Sequence, residues 1–222
     1  AKKYKAKVLE YNKVKKAEID GDEWVIHLQK GEKIKSKILI NASGPWINET
    51  LKKNIKIKSK NKIRLVKGSH IITKKLYKKD VAFTFQNTDK RIIFVIPYKK
   101  KFSLIGTTEV EVKSPENKEI SKKEIQYLIR SVNNYLEKQI STKDIVDSYS
   151  GIRPLIEDFN QASKVTRDYI FDLNIIKKLP LLSIYGGKLT TYRKLAENVL
   201  LDLEKFLPKT KMGPRTHKKN LF

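Results

Sequence analysis

Cysteine is absent from the 222 residues. That excludes disulfides, thiol catalysis and thiolate metal sites, and it fits an intracellular protein. Histidine is scarce too: His27, His70 and His217 are scattered, make no metal-ligand spacing and give no reason to expect a metal. No run approaches the roughly 20 apolar residues a helix needs to span a bilayer, and no charged start with an apolar core reads as a signal peptide. Acidic residues number 24 against 49 basic ones, for a formal charge of +25. Such an excess invites a nucleic-acid reading. Arginine, however, supplies only seven of the basic residues, and nucleic-acid surfaces favour arginine for its bidentate fork and its stacking. The lysines run through the whole chain among many isoleucines and asparagines. They read as solvated surface, with no specific nucleic acid expected; weak attraction to anionic membrane or RNA is the alternative.

What is present reads as alternating sheet and helix. Residues 4–11, 23–29 and 33–40 have strand character, separated by Gly21-Asp22 and Lys30-Gly31-Glu32. The third strand runs into Asn41-Ala42-Ser43-Gly44-Pro45-Trp46, and a short helix is expected around 46–53. A second strand series follows at 63–66, 69–74, 81–86, 91–97 and 102–108. Its segment Arg91 to Pro97 is a continuous apolar run, which suits a strand buried on both faces, and Tyr98 to Lys101 makes a hairpin turn. The clearest helix spans about 121–138: Ser121 and Glu124 form a capping box, and Ile125, Leu128, Ile129, Val132, Tyr135 and Leu136 share one face. That stripe is expected to pack on a sheet and carry no chemistry. Strands at 144–150 and 165–172 bracket Gly151 to Leu155, a final helix covers about 188–206, and Lys209 to Phe222 is a basic tail.

The densest chemical signal is Ser183 to Lys194. An apolar strand, Leu181 to Tyr185, runs into Gly186-Gly187; Lys188, Thr190 and Thr191 follow, and then a helical pattern begins. A strand–Gly-Gly–helix junction lets backbone approach a ligand and aims helix N–H groups at it. Lysine and hydroxyls there suit an anionic or phosphorylated ligand. Arg153, between Gly151 and Pro154 after an expected strand, reads as a strand-end arginine able to hold a phosphate or carboxylate, or else to pair with Glu157 or Asp158. Arg167 pairs equally well with Asp168 or with a cross-strand carboxylate. His70 lies in a strand between small and apolar residues, a place that suits a core histidine as well as a catalyst.

The order of the motifs goes further. Asn-Ala-Ser-Gly-Pro-Trp at 41–46, Lys-Gly-Ser-His-Ile at 67–71, Phe-Val-Ile-Pro-Tyr at 94–98 and Leu-Ile-Gly-Thr-Thr-Glu-Val at 104–110 come first. Ser-Gly-Ile-Arg-Pro-Leu at 150–155, Thr-Arg-Asp-Tyr at 166–169 and Gly-Gly-Lys-Leu-Thr-Thr-Tyr-Arg-Lys-Leu-Ala-Glu at 186–197 complete the series. From about residue 1 to about 215 the chain resembles the FAD-dependent, respiratory glycerol-3-phosphate dehydrogenases. The resemblance implies a mixed α/β (α+β) fold of the glycine-oxidase-like flavoprotein kind. An incomplete FAD/NAD(P)-binding, Rossmann-like domain (1–62 and 169–208) would join an antiparallel-sheet substrate domain (63–168), with a basic tail at 209–222. It implies FAD as cofactor and oxidation of sn-glycerol 3-phosphate to dihydroxyacetone phosphate, with electrons passed to a quinone. The location it implies is cytoplasmic, peripheral on the cytoplasmic membrane.

By the same resemblance, His70 and Arg153 lie near the reacting carbon, where one takes the hydroxyl proton. Arg167, Lys188 and Thr191 would meet the substrate phosphate. Ser43, Gly44, Gly186, Gly187, Lys188, Leu189 and Thr190 would contact the cofactor. The Gly-x-Gly-x-x-Gly turn that grips a dinucleotide diphosphate is nowhere in the sequence. The chain is therefore expected to be an internal slice of such an enzyme, binding FAD weakly alone, prone to associate, and working with a separately encoded N-terminal chain. The alternatives are an inactive remnant of that enzyme, a related oxidase that uses oxygen, or a basic protein that binds nucleic acid or anionic membrane.

Overall fold

A computed structural model describes residues 5–156, 168–209 and 216. The chain divides into two compact units, one made of Ala1–Ile63 with Leu155–Phe222 and the other of Arg64–Pro154. The division expected from the sequence instead carried the second part on to residue 168.

In the first unit, β1 (Val14–Asp20), β2 (Glu23–Leu28) and β3 (Lys33–Ser36) form an antiparallel meander. A second sheet holds β4 (Leu39–Asn41), β11 (Tyr169–Ile176) and β12 (Leu179–Gly186) in the order β11-β12-β4, with β12 and β4 parallel. After β4 the chain passes through a 3-10 turn (Gly44–Trp46), the single-turn α1 (Ile47–Glu49) and a π-helical segment (Thr50–Ile55). Ile47, Leu51 and Ile55 bury themselves against Trp24, Ile26 and Leu28 of the meander and Leu181 and Tyr185 of β12. Trp24 Nε1 donates to the Pro180 carbonyl at 3.1 Å, so the indole is buried without an orphaned donor. The opposite face of β12 packs Leu182 against Val199 and Leu203 of the α3 region (α3, Tyr192–Asp202). With both faces covered, β12 has the near-continuous apolar run of an interior strand.

The second unit is built on a six-stranded sheet of β5 (Ile63–Lys74), β6 (Phe83–Gln86), β7 (Ile92–Tyr98), β8 (Phe102–Gly106), β9 (Val110–Val112) and β10 (Ile145–Ile156). Its order is β10-β5-β8-β7-β6, with β9 also pairing with β5. On one face, α2 (Lys122–Asn133) buries Leu128 and Val132 against Ile71, Ile93, Val95 and Ile105. Ser121 caps this helix in a full capping box with Glu124.

Several expectations need correction. Residues 5–11 are turn and coil, and the first strand is β1, which begins at Val14. The expected strand 33–40 is two strands in two different sheets, broken after Ser36, whose hydroxyl bonds Ile38. The 63–74 region is one unbroken strand, as is 145–156, so Arg153 lies inside β10 and not in a strand-end turn. The α2 helix stops at Asn133, where the Asn133 side chain binds Ile140 and redirects the chain. The final helix is 3-10 at its start (Leu189–Thr191) before α3 proper begins. Most informative is β7: its apolar run is not buried on both faces. Ile93 and Val95 are fully buried, while Ile92, Phe94 and Ile96 stay 48%, 42% and 38% exposed.

Candidate active site

The open face of the second unit's sheet, opposite α2, carries the first group of expected residues. Strand register sets His70 of β5 beside Gly106 of β8, and Gly106 beside Phe94 of β7. Because strand side chains alternate between faces, His70, Phe94, Ile92 and Ile96 share the open face, and Ile71, Ile105 and Val95 share the core face. The imidazole lies over the bare Cα of Gly106: a Cβ there would come within 2.1 Å of His70 Cδ2. Against another side of the imidazole, Tyr149 of β10 stacks with centroids 4.8 Å apart and planes 8° from parallel. His70 Nδ1 is buried and has no hydrogen-bond partner among the described residues. Burial, and then the positive charge of Arg153, push the imidazole's pKa below its ordinary 6.5. A neutral histidine follows at neutral pH, with a ring nitrogen free to take a proton.

Arg153 joins it. Its Nη2 donates to Thr107 Oγ1 at 3.3 Å, and Nη1 lies 3.7 Å from Glu109 Oε1. The guanidinium rests on Gly68, where a Cβ would stand 2.6 Å from Nη2 and 2.7 Å from Thr107 Oγ1. Both site side chains thus sit on glycines of this sheet. A planar cation beside a neutral base, on a face lined by exposed Phe94 and aliphatic residues, suits a flat apolar ring system and an anionic group near it.

The second group lies in the first unit. Ser43-Gly44 follow the carboxyl end of β4, and Gly186-Gly187 close the carboxyl end of β12 and lead away from it. These strands are parallel, with Asn41 in register with Ser183, so both glycine turns leave the sheet at one edge. Ligands of open α/β sheets bind beyond the carboxyl ends of their strands. Asn41 is buried and fixes the first turn, its Nδ2 donating to the Ile47 carbonyl and its Oδ1 accepting from Ser43 Oγ at 2.7 Å. Gly44, Gly186 and Gly187 have φ of +56°, +74° and +101°. Gly44 has nothing within 4 Å of the place a Cβ would take, leaving its backbone open to a ligand. At Gly186 a Cβ would stand 2.6 Å from the Asp168 carbonyl oxygen, so glycine is required both by conformation and by space.

Lys188, Leu189 and Thr190 are exposed, and Lys188 has no ion-pair partner among the described residues. Thr191 has a local use: its hydroxyl donates to the Lys188 carbonyl at 3.1 Å. Arg167 lies outside the described residues. A separate open cleft of about 540 Å³, lined by Asn48, Ser59, Asn61 and Lys52, Lys56, Lys58 and Lys62, contains none of the expected site residues.

The chain's residues fit a flavin. In the first unit three glycines of positive φ turn the chain at the carboxyl ends of β4 and β12, with open space at Gly44. In the second unit, taken by itself, an apolar sheet face carries an imidazole whose Nδ1 has no hydrogen-bond partner among the described residues. Sequence reading had not picked out Gly68, Gly106, Thr107 or Tyr149 as site residues. The Gly68-Ser69-His70 and Gly106-Thr107-Thr108 patterns were in view as motifs, but only strand register shows which glycine seats which side chain.

Residues 1–193 match the family described as FAD dependent oxidoreductase (DAO). The aerobic glycerol-3-phosphate dehydrogenase of Escherichia coli is 47% identical over 173 residues, covering 77% of this chain and 34% of that protein. The D-erythritol 1-phosphate dehydrogenase of Brucella abortus is 36% identical over 210 residues, covering 91% of this chain and 42% of that protein. Among solved structures, the glycerol-3-phosphate dehydrogenase of Bacillus halodurans with FAD bound superposes with a TM-score of 0.71 at 27% identity, over 89% of this chain and 39% of that one. The chain therefore spans between a third and somewhat over two fifths of the length of the proteins it matches.

Proposed function

This chain belongs to the FAD-dependent oxidoreductase family, and on that premise we propose that it is the part of a polyol-phosphate dehydrogenase that covers the flavin and handles the substrate hydroxyl. Glycerol 3-phosphate is the preferred substrate in this reading and dihydroxyacetone phosphate the product. Relatives named as glycerol-3-phosphate and D-erythritol 1-phosphate dehydrogenases support a phosphorylated polyol as the substrate class, and we take its secondary carbinol as the group oxidised. The acceptor we assign is a quinone, on the family resemblance. We place the enzyme peripherally on a membrane; no described helix is long and apolar enough to cross one.

The observation that carries the reading is the His70–Arg153 pair: an unpartnered neutral imidazole on Gly106 and a guanidinium on Gly68, both on an exposed apolar sheet face. Ser43, Gly44, Gly186, Gly187, Lys188, Leu189 and Thr190 would hold the cofactor. When bound, FAD supplies the acceptor for the hydride that leaves the carbinol carbon. The chain's own residues do the rest. His70 takes the hydroxyl proton as the carbonyl forms, and the stack on Tyr149 keeps the imidazole aimed. Arg153 stays charged throughout and holds the developing oxyanion or the substrate anion. Lys188 and Arg167 are the phosphate ligands in this proposal. The diphosphate loop that the sequence lacks would come from the rest of the enzyme, encoded with this chain or separately.

In enzyme carrying such a loop, His70→Gln lowers kcat by about 10²- to 10⁴-fold, the usual worth of a positioned base. The acidic limb of kcat/KM falls at a pH below 6.5, histidine's ordinary value, and Arg153→Gln moves that limb upward because one cause of the depression is removed. A pH profile without a limb in that region, or one that Arg153→Gln moves downward, contradicts the assignment.

A further inference from the structure

One buried charged cluster in the second unit is not used by the reaction above. Glu124 is the third residue of α2, and its carboxylate and Lys67 are each only 5% exposed, 2.9 Å apart. A capping box needs one carboxylate oxygen, and Oε2 serves it, accepting from Ser121 N at 2.9 Å and Ser121 Oγ at 2.8 Å. The other oxygen does something else. Oε1 accepts from Ser69 Oγ at 2.7 Å and from Thr108 Oγ1 at 2.9 Å. Ser69 N donates to Thr108 Oγ1 at 3.0 Å, and Ser150 Oγ donates to Ser69 Oγ at 2.7 Å. Lys67 Nζ also donates to the Glu119 carbonyl.

The members of this network are the chain neighbours of the candidate site. Lys67 precedes Gly68, the seat of Arg153. Ser69 precedes His70, Thr108 follows Thr107, and Ser150 follows Tyr149. Adjacent side chains on a strand point to opposite faces, so the network grips β5 and β10 from behind the face that bears His70 and Tyr149. A tie needed for stability alone is served as well by apolar packing; this one converges on the three segments that carry the site.

We propose that Glu124, acting through the hydroxyls of Ser69, Thr108 and Ser150, is a positioning residue that fixes the His70–Tyr149 stack and the seat of Arg153 from the reverse side of the sheet. It rests on the reading of His70 and Arg153 as site residues, but it is tested without turnover. The charged and titratable groups facing His70 are Arg153 and Tyr149, both on β10; its neighbours from β8 and β7, Gly106 and Phe94, carry no charge. Loosening β10 from β5 therefore acts on both at once.

The test is NMR of the His70 imidazole in the 222-residue chain, identified by loss of its signals in His70→Gln. Ser150→Ala removes a single hydrogen bond and leaves the Lys67–Glu124 pair whole. The expected result is loss of the Tyr149 ring-current shift on the His70 ring protons and an upward move of the His70 titration, with circular dichroism unchanged. Ser150→Thr restores both signals. Glu124→Gln is expected to act in the same direction and more strongly; should it fail to fold, the Ser150 variants decide. A folded Ser150→Ala chain whose His70 shifts and titration match the parent overturns the proposal, as does a change that Ser150→Thr does not reverse. Either result leaves the flavin reading standing, since that reading fails on flavin retention, turnover and its pH profile.

Discussion

Two glycines decide where the side chains of the candidate site can lie, and they differ in what they meet. At Gly106 an added methyl would strike the His70 ring at 2.1 Å, and that ring is already held by Tyr149. Gly106→Ala should cost about 1–3 kcal/mol, the usual range for overpacking, and should break the stack. At Gly68 the obstruction is the far end of the flexible Arg153 together with Thr107 Oγ1, 2.7 Å away. Gly68→Ala should therefore cost about 1 kcal/mol, the low end of overpacking, while displacing the guanidinium. Urea denaturation together with substrate KM checks the pair: a large stability loss in Gly68→Ala, or an undisturbed KM in that variant, contradicts this account. His70 and Arg153 were legible in the sequence because they fall in short motifs of characteristic order. What seats them was not, since Gly106 and Tyr149 are far from His70 in sequence and reach it only through strand pairing.

At the scale of elements, α2 was legible because its period and its capping box agree, and the structure keeps both. Its N-terminal carboxylate carries a consequence the pattern does not announce. Burial would raise the Glu124 pKa, but hydrogen bonds from Ser121, Ser69 and Lys67 outweigh it and hold the pKa at about 2. A carboxylate depressed from about 4.5 stabilises the fold above that pH, and the contribution is lost as pH falls toward 2. The loss should be on the order of 3 kcal/mol. Glu124→Gln should flatten the fall in urea midpoint across that window; a parent chain whose midpoint does not fall there would refute the assignment. The apolar run of β7 misled for a physical reason. Continuous hydrophobicity signals two covered faces only when something covers both, and in this unit α2 covers one. The β10 strand was cut at Gly151 and Pro154 in the sequence reading because both residues usually end strands, yet the strand runs through them. For β12, by contrast, the apolar run and the buried strand coincide.

At the scale of the molecule, charge says least. The lysine excess gives +25 without concentrating arginine anywhere, whereas family, fold and the flavin-compatible glycine turns converge on one chemistry. The central proposal is that this chain's residues position and deprotonate a polyol phosphate whose hydride passes to a flavin. The measurement that tests it most directly is the visible spectrum of the chain mixed with FAD and with the diphosphate-loop portion of a relative, desalted, then given glycerol 3-phosphate without oxygen. The account predicts a retained flavin band that bleaches on adding substrate, persists in His70→Gln, and is not retained when the loop portion is left out. A complemented pair that holds no flavin, or one that holds flavin which glycerol 3-phosphate leaves oxidised, would contradict it.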